Sequence, residues 1–77
     1  MSEIYLSQLK EGESCIIKSL EISDSMRYRL NELGFISGSY VTCLQRSFSG
    51  DPTAYFVKGT VIALRKNDTS RIKIAVS

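Results

Sequence analysis

The side chains that could do chemistry in this 77-residue sequence are two cysteines and eight carboxylates, and histidine is absent. Catalysis commonly needs a nucleophile beside a base, carboxylates held together in a pocket, or a metal with an open coordination position. Cys15 and Cys43 are 28 positions apart and belong to no CxxC or Cys/His pattern that would hold zinc. The sequence therefore predicts no enzyme, no metal site and no cofactor.

Both cysteines fall in segments whose composition is typical of strands. Unpaired cysteine is among the residue types most often buried, so we expect both thiols to be small core side chains. A disulfide between neighbouring strands is geometrically possible, but the cytosolic location expected below argues against it.

Composition and charge indicate an ordinary globular domain. Hydrophobic residues make up 43% of the chain and charged residues 23%, with a net charge of +2 that gives only a weak electrostatic field. No stretch approaches the roughly 20 apolar residues that cross a bilayer, and the N-terminus lacks the basic and apolar regions of a signal peptide. We expect one cytoplasmic domain over residues 1–77, with a single core.

The elements that would position any site follow from the apolar pattern. Residues 4–9 are typical of a short strand or a single helical turn. Apolar and β-branched residues predict five strands, at 15–22, 40–48, 55–57, 61–64 and 72–76. Turn chemistry separates them, with Gly50, Asp51 and Pro52 in one turn and Gly59 in the next.

One helix is predicted between the first two of these strands. Side-chain oxygens at 23–25 can accept hydrogen bonds from the free N–H groups of a first helical turn. Met26, Leu30 and Leu33 recur at helical spacing, so they are expected to share one face that packs on the sheet. Because about five short strands leave two exposed edges, closure into a small barrel is the expected architecture.

The helix has a well-defined predicted end. Gly34 follows the last periodic residue, where glycine can adopt a left-handed backbone conformation without steric cost. Phe35 comes next and can contact Leu30, which would complete a Schellman-type cap. The sequence predicts that the helix ends at Leu33.

These features occur in an order that resembles the FeoA family of ferrous iron transport proteins. The resemblance covers nearly the whole chain and is carried by Leu6, Leu9, Gly12, the run MRYRLNELGF at 26–35, Gly38, Gly50-Asp51-Pro52, Tyr55, Val57, Gly59, residues 62–66 and Ile72. The chain departs from the family at Ser37, where relatives often have proline. The resemblance implies a mainly β, SH3-like, five-stranded barrel with one inserted α-helix. It also implies a role in ferrous iron uptake together with the membrane transporter FeoB.

Candidate docking residues come from the aromatic and basic side chains. The aromatic residues cannot all fit in so small a core, and exposed aromatics make good interface anchors. The candidate docking set is Arg27, Tyr28, Phe48, Asp51 and Tyr55. The residues expected to be structural are Leu30, Leu33, Gly34, Phe35, Gly38, Pro52 and Gly59.

Two functions remain open at this point. The first is an accessory or regulatory protein that binds the cytosolic face of FeoB, reaches the membrane only through that partner, and changes transport or GTPase activity. The alternative is a small basic barrel that binds RNA or single-stranded nucleic acid through arginines and stacked aromatics. The low net charge weakens the alternative, so no nucleic-acid partner is expected. The basic residues fit ordinary surface, a docking rim or a phosphate-binding patch.

Overall fold

The computed structural model describes residues 4–76, which form a six-stranded antiparallel sheet with a nine-residue helix beside it. The elements in chain order are β1 (Ile4–Tyr5), a 3-10 turn (Leu6–Gln8), β2 (Ser14–Leu20), α1 (Asp24–Glu32), β3 (Tyr40–Arg46), β4 (Thr53–Val57), β5 (Thr60–Leu64), α2 (Lys66–Thr69) and β6 (Ile72–Val76). The predicted helix after the first long strand is confirmed. The opening segment is both a short strand and a helical turn, which raises the strand count from five to six.

The strands are hydrogen-bonded in the order β1-β6-β2-β3-β4-β5. Every pairing is antiparallel. Strands β2 to β5 pair in chain order, and β6 returns to lie between β1 and β2. Within residues 4–76, β1 and β5 each have one paired side only. The expected closure of the barrel is therefore corrected, because no hydrogen-bonded ladder joins these two edges.

One hydrophobic core lies against the inner face of the sheet. Alternate strand residues point into it, as the two-residue strand period requires. The core residues are Leu6, Leu9, Cys15, Ile17, Leu20, Leu30, Phe35, Val41, Cys43, Tyr55, Val57, Leu64, Ile72 and Ile74. Both cysteines are free and buried, so their predicted role as small core residues is confirmed.

A bulge in β3 turns an arginine toward the interior. The register with β4 shifts between Cys43 and Gln45, so that Arg46 lies opposite the buried Thr53. Because a bulge inserts one extra residue, the side chains beyond it change face. This shift explains why apolar and polar residues alternate only imperfectly along β3.

The helix is capped at both ends as the sequence indicates. The Ser23 hydroxyl accepts a hydrogen bond from the Met26 N–H at 3.4 Å. At the other end, the Phe35 N–H donates to the Leu30 carbonyl at 2.9 Å and the Gly34 N–H donates to the Asn31 carbonyl at 3.0 Å. These two bonds form the Schellman motif, with Gly34 at φ +108. The predicted cap is confirmed.

The apolar stripe of α1 is only partly covered. Leu30 is buried and Met26 is half-buried, whereas Leu33 keeps 42% of its surface exposed. The expectation that Leu33 packs on the sheet is thus corrected, because Leu33 is the C-cap residue of α1 and stays partly exposed.

The turns follow the glycine signals. Lys58 and Gly59 both have positive φ, 51° and 77°, as a tight two-residue hairpin turn between β4 and β5 requires. Gly38 also has positive φ, and its N–H donates to the Ile17 carbonyl at 2.8 Å. The predicted break at 67–70 overlaps the short helix α2.

Candidate partner-docking surface

The docking candidates lie on three elements and differ in accessibility. Arg27 and Tyr28 are on α1, Phe48 and Asp51 are in the β3–β4 loop, and Tyr55 is in β4. Tyr28 is 67% exposed and Phe48 is fully exposed, which makes them the most accessible aromatic side chains of the set. The fold therefore brings Phe48 and Asp51 into one loop, and leaves Arg27 and Tyr28 together on the helix.

The Arg27 side chain is bonded to groups at the start of its own helix. One guanidinium nitrogen pairs with the Asp24 carboxylate at 2.7 Å, and the other donates to the Ile22 carbonyl at 3.1 Å. Both bonds lie near the helix N-terminus, where the Asp24 charge is also favoured by the helix dipole. A partner that recruits Arg27 would have to compete with these local contacts.

The β3–β4 loop, which carries Phe48, is held by hydrogen bonds between its own backbone groups. The Ser47 N–H donates to the Pro52 carbonyl at 3.0 Å, and the Gly50 N–H donates to the Ser47 carbonyl at 2.8 Å. The Asp51-Pro52 peptide bond is cis. These bonds satisfy the loop internally, so the aromatic ring of Phe48 is held in solvent without a contact that buries it.

Asp51 connects this loop to α2. Its carboxylate accepts a hydrogen bond from the Lys66 backbone N–H at 2.9 Å. Since Lys66 is the first residue of α2, the contact satisfies one of the free N–H groups of that short helix. Asp51 thereby has a structural contact that the sequence did not indicate.

Tyr55 is inaccessible to a binding partner. Its side chain is 0% exposed, and burial raises the pKa of its hydroxyl above the usual range. The structure therefore corrects its inclusion in the docking set. The signal was present in the sequence, because Tyr55 and Val57 are two apart in a strand that must turn one face to the core.

The outer face of the sheet carries apolar side chains that the sequence reasoning missed. Phe56 lies between Thr42 of β3 and Val61 of β5 in the strand register. Phe56 keeps 44% of its surface exposed and Val61 keeps 59%. Phe56 lies between two buried residues of β4, and this alternation could have predicted that Phe56 is on the outer face.

A shallow depression of about 260 Å³ adjoins the β3–β4 loop on this face. It is lined by the loop residues Ser47 and Pro52 and by Ala54 and Ala63 of β4 and β5. Ala63 also lines a second depression, of about 210 Å³, between β5 and α1. Ala63 is thus shared by a depression beside the Phe48 loop and a depression beside the helix.

The two cysteine thiols are buried and have raised pKa values. Burial, together with a smaller effect of the neighbouring Cys43, raises the pKa of the Cys15 thiol to about 12, and burial also raises the pKa of Cys43. A protonated, buried thiol is a poor nucleophile. Across residues 4–76, no cluster of three or more histidine, cysteine, aspartate or glutamate side chains is arranged to bind a metal ion.

No helix in the described part of the chain is long and apolar enough to span a membrane.

Comparison with known proteins identifies the family. The FeoA domain family matches residues 4–76, which is nearly the whole sequence. The chain belongs to the FeoA family. A FeoA protein from Chlorobium tepidum, solved in solution, superposes with a TM-score of 0.90 at 27% identity, over 95% of this chain and 70% of that one.

A second FeoA structure supports the predicted fold class. FeoA from Stenotrophomonas maltophilia, solved with zinc, matches with a TM-score of 0.79 at 29% identity, over 96% of this chain and 89% of that one. That protein is described as a prokaryotic SH3 domain protein and as a candidate activating factor for ferrous iron transport. The fold is mainly β and SH3-like, as the sequence resemblance implied.

A curated relative carries a FeoA domain in a much longer chain. The Fe(2+) transport protein A/Fe(2+) transporter FeoB fusion protein of Porphyromonas gingivalis is 30% identical over 69 residues, which cover 90% of this chain. The present chain spans only 8% of the length of that relative.

Proposed function

We propose that this protein is a non-catalytic, cytoplasmic accessory factor of ferrous iron uptake that binds the cytosolic face of a FeoB-type transporter. The observation that carries the proposal is the fusion of a 30% identical FeoA domain to FeoB in one polypeptide. A covalent link holds two modules at high effective concentration, which favours a pair that works in contact. In this proposal residues 1–77 act as one domain that reaches the membrane through its partner.

The exposed surface is suited to protein docking. Phe48 and Tyr28 are accessible aromatic side chains, and aromatic residues contribute strongly to protein interfaces. Phe48 is in the loop beside the first depression, and Tyr28 is on the helix beside the second. A transporter segment that covers either depression would bury apolar area already displayed in the free domain.

The mechanism in this proposal is allosteric. A bound accessory protein changes transport or GTP turnover only if it prefers one transporter state over another. By linkage, the nucleotide state that strengthens docking is also the state that docking stabilises. The affinity of the domain for FeoB should therefore differ between the GDP-bound and GTP-bound transporter.

Co-purification tests the proposal directly. Tagged protein is mixed with the detergent-solubilised FeoB of the same organism, and an unrelated membrane protein of similar size is the control. Retention of FeoB alone is the expected result. If correctly folded protein retains neither membrane protein, the proposal fails.

A nucleic-acid titration tests the alternative role in parallel. Binding of the domain to single-stranded RNA would weaken steeply as salt rises, because counterions are released from the phosphates. Our proposal predicts no such binding at physiological ionic strength.

A further inference from the structure

A groove with apolar side chains on its floor separates α1 from the edge strand β5. This α1–β5 groove has a volume of about 210 Å³ and is lined by Met26 of α1, by Leu33 at the C-cap of α1, and by Ile62 and Ala63 of β5. Ile62 is half-buried and Leu33 is 42% exposed, although both belong to the inner apolar pattern of their elements. The groove therefore displays apolar side chains that the domain itself leaves uncovered.

One wall of the groove is an unpaired strand edge. In the structure of residues 4–76, β5 pairs with β4 and with no other strand. Thr60 and Val57 flank the two-residue turn and form a hydrogen-bonded pair, and the antiparallel pattern alternates from there. The backbone N–H and C=O groups of Val61 and Ala63 consequently point away from β4. An extended segment could form hydrogen bonds with them.

The rim of the groove is cationic. Arg29 of α1 and Arg65 at the end of β5 both line it, together with the single carboxylate of Asp68. Among the described residues, neither guanidinium takes part in an ion pair or a hydrogen bond. Two arginines without such contacts lie beside apolar side chains, so the groove is complementary to a partner with acidic and apolar side chains.

The same charges oppose pairing of β5 with a second copy of this chain. Lys58 precedes the strand, and Arg65 and Lys66 follow it. In an antiparallel pair of β5 edges, Lys58 of one copy would lie near Arg65 and Lys66 of the other. Like charges at both ends of an edge strand disfavour such self-pairing.

We infer that the α1–β5 groove binds an extended protein segment carrying both acidic and apolar side chains. The apolar side chains lie on Met26, Leu33 and Ile62, and the carboxylates pair with Arg29 and Arg65. The segment backbone forms hydrogen bonds with the open edge of β5. This inference rests on the proposed function in one respect, because it places the segment in the cytosolic part of the transporter.

A titration followed by NMR tests the recognition chemistry without the transporter. The isotope-labelled protein receives an acetylated peptide of about eight residues in which glutamate alternates with leucine. A matched peptide has lysine in place of glutamate. Saturable shifts of the amides of β5 and α1 with the glutamate peptide alone are the expected result. Equal shifts with the lysine peptide, or shifts confined to other elements, would overturn the inference.

Charge-reversal variants test the same groove against FeoB. The groove variant is Arg29→Glu with Arg65→Glu, and the control variant is Lys10→Glu with Lys18→Glu, which changes the net charge equally at exposed sites outside the groove. Both variants should give the NMR dispersion of the folded protein, because the changed side chains are exposed. The groove variant should bind FeoB about tenfold more weakly or worse, and the control should bind nearly as the wild type does.

The outcomes separate this inference from the proposed function. If wild-type protein does not retain FeoB, the proposed function fails, and the peptide titration still decides the chemistry of the groove. If wild type and groove variant retain FeoB equally, the proposed function stands and the groove inference is wrong. Dimerisation that shifts the same β5 amides would assign the groove to a second copy and also overturn it.

Discussion

The position that a Cβ atom would take at Gly34 lies 2.7 Å from Cγ of Lys58. This contact joins the end of α1 to the β4–β5 turn, so glycine is required at position 34 by two independent constraints. Its positive φ disfavours any other residue, and an added Cβ would force the Lys58 side chain to shift.

Gly34→Ala should therefore lower the free energy of unfolding by more than the backbone strain alone, which is about 1–2 kcal/mol. Gly38→Ala is the matched control, because Gly38 also has positive φ but has no atom within 4 Å of its added Cβ. Urea unfolding of the two variants measures the difference. Equal losses of stability would mean that the contact with Lys58 relaxes without cost.

Arg46 should be an important stabilising residue of the N-terminal segment. Its guanidinium donates to the Leu9 carbonyl at 2.6 Å and to the Thr53 hydroxyl at 3.3 Å. Arg46→Met keeps the apolar stem but leaves these acceptors unpaired, so the free energy of unfolding should fall by about 2–3 kcal/mol.

Arg71→Met is the control for Arg46→Met. Arg71 is exposed, and within residues 4–76 its guanidinium has no hydrogen-bond or ion-pair partner. Its replacement should change the free energy of unfolding by less than about 0.5 kcal/mol. Similar losses in the two variants would contradict the role assigned to Arg46.

The buried thiols should make the protein less stable at alkaline pH. Burial raises the pKa of Cys15 from 9.0 to about 12, so the unfolded chain loses this proton before the folded protein does. The thiol contribution is fully present below about pH 9 and is lost as the pH rises toward 12, by at most about 1.4 kcal/mol per pH unit. Urea unfolding between about pH 7 and pH 10 measures the slope.

Cys15→Ala serves as the comparison for this slope. The variant should have a lower stability at neutral pH because a buried side chain is truncated, but its stability should change less with alkaline pH. An unchanged slope would show that another group is responsible. Iodoacetamide should also react slowly with both thiols in the folded protein.

Phe48 and Tyr28 should affect partner binding without affecting the fold. Because both rings are exposed, Phe48→Ala and Tyr28→Ala should leave the unfolding free energy within about 0.5 kcal/mol of the wild type. Each should weaken FeoB binding by about tenfold if the ring is an anchor of the interface. Tyr40→Ala, at an exposed aromatic outside the docking set, is the control, and an equal loss there would argue against specific anchors.

Tyr55→Phe should leave FeoB binding unchanged. The hydroxyl of Tyr55 is buried near the hydroxyls of Thr53 and Thr69 but forms no hydrogen bond of standard geometry within residues 4–76, so its removal should alter stability by no more than about 1 kcal/mol. A loss of binding with stability retained would return Tyr55 to the docking set. Isothermal calorimetry with solubilised FeoB makes the comparison.

Local patterns were sufficient to predict the helix and its end. Leu30, Gly34 and Phe35 are close in sequence, and their hydrogen bonds form within one turn of chain. The inward turn of Arg46 could not be predicted in the same way, because it depends on a bulge in the pairing of β3 with β4. Sequence periodicity assigns faces only while the register is continuous.

The α1–β5 groove was also beyond the reach of the sequence pattern. Leu33 and Ile62 each look like core residues when their own element is considered alone. Their partial exposure arises from the gap between α1 and β5, two elements that are separated in the chain by β3 and β4. Only the tertiary arrangement shows that the two apolar faces leave a channel between them.

The pairing of the first and last strands bears on how this domain can be joined to other proteins. Ile4 lies opposite Ile74, so the chain enters and leaves the sheet at the same corner. A linker attached at either side would hold the domain at nearly the same point. A larger protein fused before or after this domain would therefore be tethered to it with similar geometry.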